Sequence, residues 1–198
     1  MPISIKGYDY SGFIDYDREA LKKASVETRI LWLEYRVKKV LIGPLDQFFP
    51  PEGPGYKIVN EGDHTFNLCG VTLVACAIEA LGHFMTGKQD DNGDSFKYWL
   101  RHLMPDWHKT AANGVRIQDW LWDSARNGMA HQLAFKSGGT EAHDDKKFVV
   151  GKEGQIEMNP FLFYADFKVA VDRYFEALKK NVELQTPFES RFMNTLLT

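Results

Sequence analysis

The feature that most constrains the fold is an apolar run over residues 66–87, which reads FNLCGVTLVACAIEALGHFMTG. Its apolar side chains occur nearly all round a helical wheel, which is typical of a helix buried on every side. Such a helix must be surrounded by other elements, so we expect it to be the central helix of a bundle. Gly87 marks its predicted end.

Further segments carry helical periodicity on either side of this run. Helices are predicted over residues 17–42, 95–104, 114–132 and 159–185. The first has Asp17 as its predicted cap and Gly43-Pro44 as its predicted end, and the last begins with Asn159 as cap and Pro160 at its first position.

One short stretch departs from the helical pattern. Residues 148–158, FVVGKEGQIEM, predict two short strands around Gly151 to Gly154, a small hairpin. The predicted fold class is therefore all-α: a single-domain bundle of four to five helices with a small β-hairpin before the last long helix. We expect one domain over residues 1–198, with an N-terminal arm over 1–16 and a C-terminal tail over 186–198.

The net charge and the two cysteines restrict the partners and the cellular compartment that we expect for this chain. The formal net charge of −3 gives no overall basic field, so any contact with nucleic acid must be local and sensitive to salt. Cys69 and Cys76 lie about 10 Å apart on a helix, too far for a disulfide, and are expected to be buried thiols in a reducing cytoplasm. We find no secretory signal in the opening residues and expect no membrane span, so the predicted location is cytoplasmic.

The stretch WDSARNGMAHQLAF, residues 122–135, carries the candidate chemistry. On an ideal helix Arg126 and His131 would lie about 140° apart and would face different sides. Asn127-Gly128 is a turn signal, and local unwinding there would let the two side chains converge. The sequence therefore predicts a permanent cation and a titratable base in one groove.

The six residues RNGMAH, 126–131, resemble the arginine–polar–histidine motif of the HEPN superfamily, whose members are all-α domains and in many cases metal-independent ribonucleases. The resemblance implies a homodimer with two motifs facing a shared cleft. It also implies that His131 acts as base or acid, that Arg126 holds the scissile phosphate, and that Asn127 orients one of them. RNA or a nucleotide is the implied ligand, with no cofactor and no metal site. One branch of the superfamily has a tyrosine where this chain has Leu133, so the antitoxin that modifies that branch is not implied, although an antitoxin protein of another kind is a possible partner.

Several other residues are assigned supporting roles. Glu79 is the one acid in the long apolar helix, and because burying a lone carboxylate is costly, Arg126 is an attractive partner for it. Lys136, Lys97 and Arg101 are candidate substrate-binding cations.

Each assignment has a plainer alternative. Arg126 could face solvent while His131 caps helix-end carbonyls, or the motif could serve folding and dimer contacts in a non-catalytic binding or scaffolding domain. Glu79 could lie at the edge of the bundle, and the tryptophans could belong to the core or to a dimer interface.

Overall fold

The computed structural model describes residues 4–5, 8–9, 18–49, 63–89, 93–128, 137–140 and 146–196. The fold is mostly helical, as the sequence predicted. The α-helices are α1 (Arg18–Lys23), α2 (Val26–Arg36), α3 (Gly43–Phe48), α4 (Asp63–Thr86), α5 (Asp94–Leu103), α6 (Ile117–Trp120), α7 (Pro160–Lys180) and α8 (Val182–Leu196). Two π-helical segments, Val37–Ile42 and Leu121–Gly128, continue α2 and α6, and Pro105–His108 forms a 3₁₀ turn. The strands are β1 (Ser4–Ile5), β2 (Tyr8–Asp9), β3 (Gly139–Thr140), β4 (Phe148–Val150) and β5 (Ile156–Met158).

Helix α4 is the central element of the bundle. It packs against α5, α7, α8 and the second π-helical segment. Gly82 allows the close approach of α5, because a Cβ at this position would lie 2.3 Å from the carbonyl oxygen of Ser95. Gly87, with φ of +72°, follows the helix end in the left-handed conformation.

The apolar length of α4 has a further consequence. Contrary to expectation, residues Leu68–Thr86 reach the length and mean hydropathy of a membrane-spanning helix, with a value of 1.7 over the apolar window. Within this fold 56% of that window is buried among the other helices. The composition therefore fits the core helix of the bundle that the contacts describe.

The N-terminal helical region is divided where one helix had been predicted. Residues 17–42 do not form a continuous helix, because the chain breaks at Ala24–Ser25 and the Ser25 hydroxyl caps α2 by accepting from the Thr28 amide at 3.3 Å. The predicted end at Gly43-Pro44 is wrong as well, since helical structure continues through α3, where Pro44 occupies the first turn. The predicted cap Asp17 lies outside the described residues.

The C-terminal region differs from the predicted tail. Asn159 caps α7 as predicted, accepting from the amides of Phe161 and Leu162. The helix ends at Lys180, however, and residues from 186 onward belong to α8 rather than to a tail. The reason is apolar burial: Phe188 and Phe192 are fully buried, and α8 packs against α4.

The small sheet lies between α6 and α7 in the chain. Strands β4 and β5 pair antiparallel, with Val149 opposite Glu157, and the connection runs through residues 151–155. A third strand, β3, which was not anticipated, pairs parallel to β5 on its other edge. Ile156 and Met158 point into the core, so the sheet covers one side of the bundle.

Arg29 is a buried cation that joins three helices. Its Nε donates to the carbonyl oxygen of Leu21 at 2.9 Å, and its Nη2 donates to that of Lys22 at 2.6 Å. These carbonyls end α1, and Nη1 pairs with Glu189 of α8. One guanidinium therefore caps α1 and holds α8 against α2.

We predict that Arg29→Met lowers the free energy of unfolding by about 3 kcal/mol, because it leaves the carbonyls and Glu189 without their donor. Urea denaturation measures the change. The control is Arg18→Met, which removes an exposed guanidinium from α1 and should change stability by less than about 0.5 kcal/mol. Equal losses in the two variants would contradict the assignment.

An ionic network attaches the sheet to the bundle. Lys147, next to β4, pairs with Asp106 at 2.8 Å and with Asp166 of α7 at 2.6 Å, and the buried indole of Trp107 donates to the same Asp166 oxygen at 2.7 Å. Hydrogen bonds from Lys109 and Lys147 lower the pKa of Asp106 to about 2.

This network predicts a pH dependence. Because the folded pKa of Asp106 lies below its unfolded value of about 4, its contribution is fully present above about pH 4 and is lost as the pH falls through 2. We expect Asp106→Asn to be less stable than wild type near pH 6 and the difference to shrink towards pH 2. Urea midpoints across this range test it, with Asp123→Asn as an exposed control that should follow wild type. A difference independent of pH would contradict it.

Candidate functional site

Arg126 is held against the central helix by the one acid of its apolar run. Its Nε donates to Glu79 Oε2 at 2.8 Å, and its Nη2 lies 2.7 Å from the same oxygen. The two side chains are 24% and 19% exposed, so the pair is mostly removed from solvent without being sealed. The pairing expected from the sequence is therefore present.

Two neighbours in the π-helical segment complete the environment of the guanidinium. Nη1 donates to the side-chain oxygen of Asn127 at 2.8 Å, and the guanidinium carbon lies 4.9 Å from the centroid of the Trp122 ring. A cation over an indole face gains electrostatic attraction from the ring. The plane and the direction of the guanidinium are thus fixed by a carboxylate, an amide and an aromatic ring.

These contacts do not use all of the N–H donors of the Arg126 guanidinium. A guanidinium has five N–H donors, and the described residues occupy three of them, two with Glu79 and one with Asn127. Two N–H donors on a partly exposed cation can still reach an acceptor such as a phosphate oxygen.

The backbone around Arg126 differs from an ordinary helix. We expected unwinding at Asn127-Gly128, and the structure has a π-helix that begins earlier, at Leu121, and runs to Gly128. π-Helical turns are rare and occur frequently at functional sites. The wider turn places Trp122 beneath Arg126, an aromatic support that the sequence analysis did not assign. The sequence signal for this contact was the four-residue separation of Trp122 and Arg126, because side chains four residues apart are neighbours on a helix.

Trp122 is supported in turn by the start of α5. Its ring lies 5.5 Å from that of Phe96, centroid to centroid. Gly93, with φ of +90°, packs against the indole, since a Cβ there would lie 2.5 Å from a ring atom. A glycine is needed at this position both for its backbone angle and for the space.

His131 and Lys136 lie outside the described residues. The described residues stop at Gly128 and start again at Ser137, and Ser137 is hydrogen-bonded to the helical elements that precede this interval. Its carbonyl accepts from the indole of Trp120 at 2.9 Å, and its hydroxyl lies 3.1 Å from that of Ser124. Ser137 therefore lies against α6 and the π-helical segment that carries Arg126.

The other predicted cations are engaged elsewhere. Lys97 pairs with Asp119 at 2.9 Å, and Arg101 donates to the Nε2 atom of His108 at 3.2 Å. Neither contacts Arg126, so the structure separates them from the Glu79 pair and groups them on α5.

The cysteines differ from expectation. Cys69 is exposed and Cys76 is only half-buried, so the prediction of two buried thiols is wrong. Burial raises the pKa of the Cys76 thiol, Arg126 opposes that rise and Glu79 adds to it. Among the described residues no cluster of three or more histidine, cysteine or acidic side chains could hold a metal ion.

We predict that Gly93→Ala disturbs the support beneath Arg126. The matched control is Gly114→Ala: Gly114 has φ of +84°, but a Cβ there would meet nothing within 4 Å. Both variants incur backbone strain of about 1 kcal/mol, and only Gly93→Ala adds overpacking of about 1–3 kcal/mol and alters the near-ultraviolet circular dichroism of tryptophan. Equal losses of stability with unchanged spectra would contradict this role of Gly93.

No protein-family model, no curated protein and no solved structure matches this chain. The resemblance to the HEPN superfamily therefore rests on the residues of the motif and on the mostly helical fold.

Proposed function

We propose that the chain is a metal-independent endoribonuclease of HEPN type, with Arg126 and His131 as its active residues. The observation that supports this is the state of Arg126. Its guanidinium is oriented by Glu79, Asn127 and Trp122, it is partly exposed, and two of its N–H donors are unused by the described residues. Orientation before the substrate arrives is what a group that stabilises developing charge requires.

The position of His131 along the chain agrees with this role. It follows Arg126 by five residues, the separation of arginine and histidine in the HEPN motif that the stretch resembles. The next described residue after it, Ser137, is hydrogen-bonded to Trp120 and Ser124, on the elements that lead to Arg126.

The proposed reaction is transesterification by the ribose 2′-hydroxyl. An imidazole takes the hydroxyl proton, the 2′-oxygen forms a bond to phosphorus, and the bond from phosphorus to the 5′-oxygen breaks. An imidazolium gives a proton to the leaving oxygen, and a homodimer would supply the second histidine from the other copy. Arg126 binds the phosphate oxygens, on which negative charge grows.

The Arg126–Glu79 ion pair also limits how strongly the site can attract a phosphate. Glu79 cancels much of the charge of Arg126, so the pair attracts a phosphodiester less strongly than a free arginine would. The guanidinium is therefore suited to orienting a phosphate and stabilising the transition state, and most binding energy must come from other cations.

A second candidate function is a non-catalytic nucleotide-binding or scaffolding domain. The observation that favours it is the same ion pair. Joining α4 to the π-helical segment is by itself a sufficient role for a mostly buried arginine and glutamate. Under this alternative Arg126 contributes to stability and not to chemistry.

The proposal also includes a cellular location, an oligomeric state and a biological process. A cytoplasmic homodimer acting on RNA in a toxin–antitoxin, antiphage or stress response, with an antitoxin protein as partner, follows from the HEPN resemblance.

The test is cleavage of a mixed-sequence RNA in the presence of a chelator. We predict that His131→Ala lowers the rate about 10²- to 10⁴-fold and that Arg126→Lys lowers it about 10²- to 10³-fold. Arg126→Lys keeps a charge beside Glu79, so the fold is retained while the planar fork is lost. Arg36→Lys is the matched control, an exposed arginine on α2 whose replacement should leave the rate unchanged.

The two candidate functions give opposite results. If wild type cleaves and the two variants do not, the ribonuclease proposal stands. If wild type fails to cleave, the scaffolding alternative replaces it. If cleavage is undiminished in Arg126→Lys and His131→Ala, these two residues are not the active residues and the proposal is contradicted.

A further inference from the structure

The exposed side of α5 carries a group of cations and rings that the proposed active residues do not include. We define the α5 patch as the side chains that share this surface with the 3₁₀ turn and the start of α6: Lys97, Tyr98, Arg101, His102, His108 and Arg116. Lys97 and Arg101 are the substrate-binding cations predicted from the sequence, and the structure adds the other four residues.

The patch has an excess of positive charge. Lys97 and Arg116 share a single carboxylate, that of Asp119, with separations of 2.9 and 2.5 Å. Arg101 has no acidic partner among the described residues and donates instead to His108. Three cations thus face one carboxylate, on a chain whose formal net charge is −3.

Two further carboxylates among the described residues near the patch have other basic partners. Asp94 lies near Lys88, and Asp106 pairs with Lys109 and Lys147. His108 adds no charge at neutral pH, since its Nε2 accepts a hydrogen bond, and burial together with Arg101 and Arg116 lowers its pKa.

Exposed rings accompany the cations. Tyr98 is 37% exposed, and its ring lies 4.2 Å from that of the exposed His102, centroid to centroid. Cations that follow a backbone beside rings that accept bases are the recurring composition of single-stranded nucleic-acid sites. An acidic peptide would use the cations but would leave the ring pair without a function.

The patch adjoins the site of Arg126. Phe96, next to Lys97, contacts the Trp122 ring on which Arg126 stacks. Asp119, which pairs with Lys97 and Arg116, lies on α6, which continues into the π-helical segment that carries Arg126. Helix α5 therefore contacts both the patch carboxylate and the ring that supports the guanidinium.

We propose that the α5 patch binds the backbone and bases of single-stranded RNA next to the scissile phosphate. This inference rests on the proposed function in that the bound strand is the substrate. It supplies the binding energy that the neutralised Arg126–Glu79 pair lacks.

Binding is measured by fluorescence anisotropy with a labelled single-stranded 2′-O-methyl RNA, which cannot react through its 2′-oxygen. The charge variant is Arg101→Gln with Arg116→Gln, and its matched control is Arg18→Gln with Arg36→Gln, two exposed arginines on α1 and α2. We expect the charge variant to bind about tenfold or more weakly and to lower the slope of log K against log salt by about 1.4. Tyr98→Ala should weaken binding about tenfold and leave that slope unchanged.

The outcomes separate this inference from the proposed function. His131→Ala should bind the analogue as wild type does, so weakened binding in the α5 variants supports the patch whether or not the protein cleaves RNA. Binding as tight in the charge variant as in its control would overturn the patch, and so would failure of wild type to bind. Circular dichroism confirms that each variant is folded.

Discussion

The structure depends on one partly buried carboxylate on its central helix. Helix α4 is the core of the bundle, and Glu79 is the acid within its apolar run. A charge in that position needs a partner, because removing carboxylates from water without compensation costs several kcal/mol. Arg126 supplies it and ties the π-helical segment to α4, so the core and the candidate site share one interaction.

The same interaction explains why we assign phosphate orientation and substrate binding to different parts of the surface. Glu79, Asn127 and Trp122 fix the guanidinium, which removes the entropic cost of orienting it when a substrate binds. The cost is electrostatic, since the carboxylate offsets the attraction for phosphate. Under the proposed function, a chain with a net negative charge needs other cations for its affinity for RNA, and we propose the three cations around Asp119 and His108 for this role.

The parts of the fold that the sequence predicted are those fixed by local signals. The all-round apolar run of α4, the stop at Gly87 and the Asn159-Pro160 start of α7 depend on residues close in sequence. The break at Ser25 comes from a local hydroxyl cap that helical periodicity does not reveal. Helix α8 depends on long-range contacts, namely the pairing of Arg29 with Glu189 and the packing of Phe188 on α4. For the site, a lone acid in an apolar helix was enough to suggest the Glu79–Arg126 pair. The π-helix at Leu121 has no comparable sequence signal. The place of Trp122 was missed even though its four-residue separation from Arg126 was a signal for it.

The most direct test of the central claim is the chemistry of the cut ends. RNA is incubated with the purified protein in chelator, and the new termini are identified by mass spectrometry. Attack by the 2′-hydroxyl predicts a 2′,3′-cyclic phosphate and a free 5′-hydroxyl, with neither end formed by His131→Ala. Ends bearing a 5′-phosphate and a 3′-hydroxyl, or cyclic phosphate formed equally by the variant, would contradict the account.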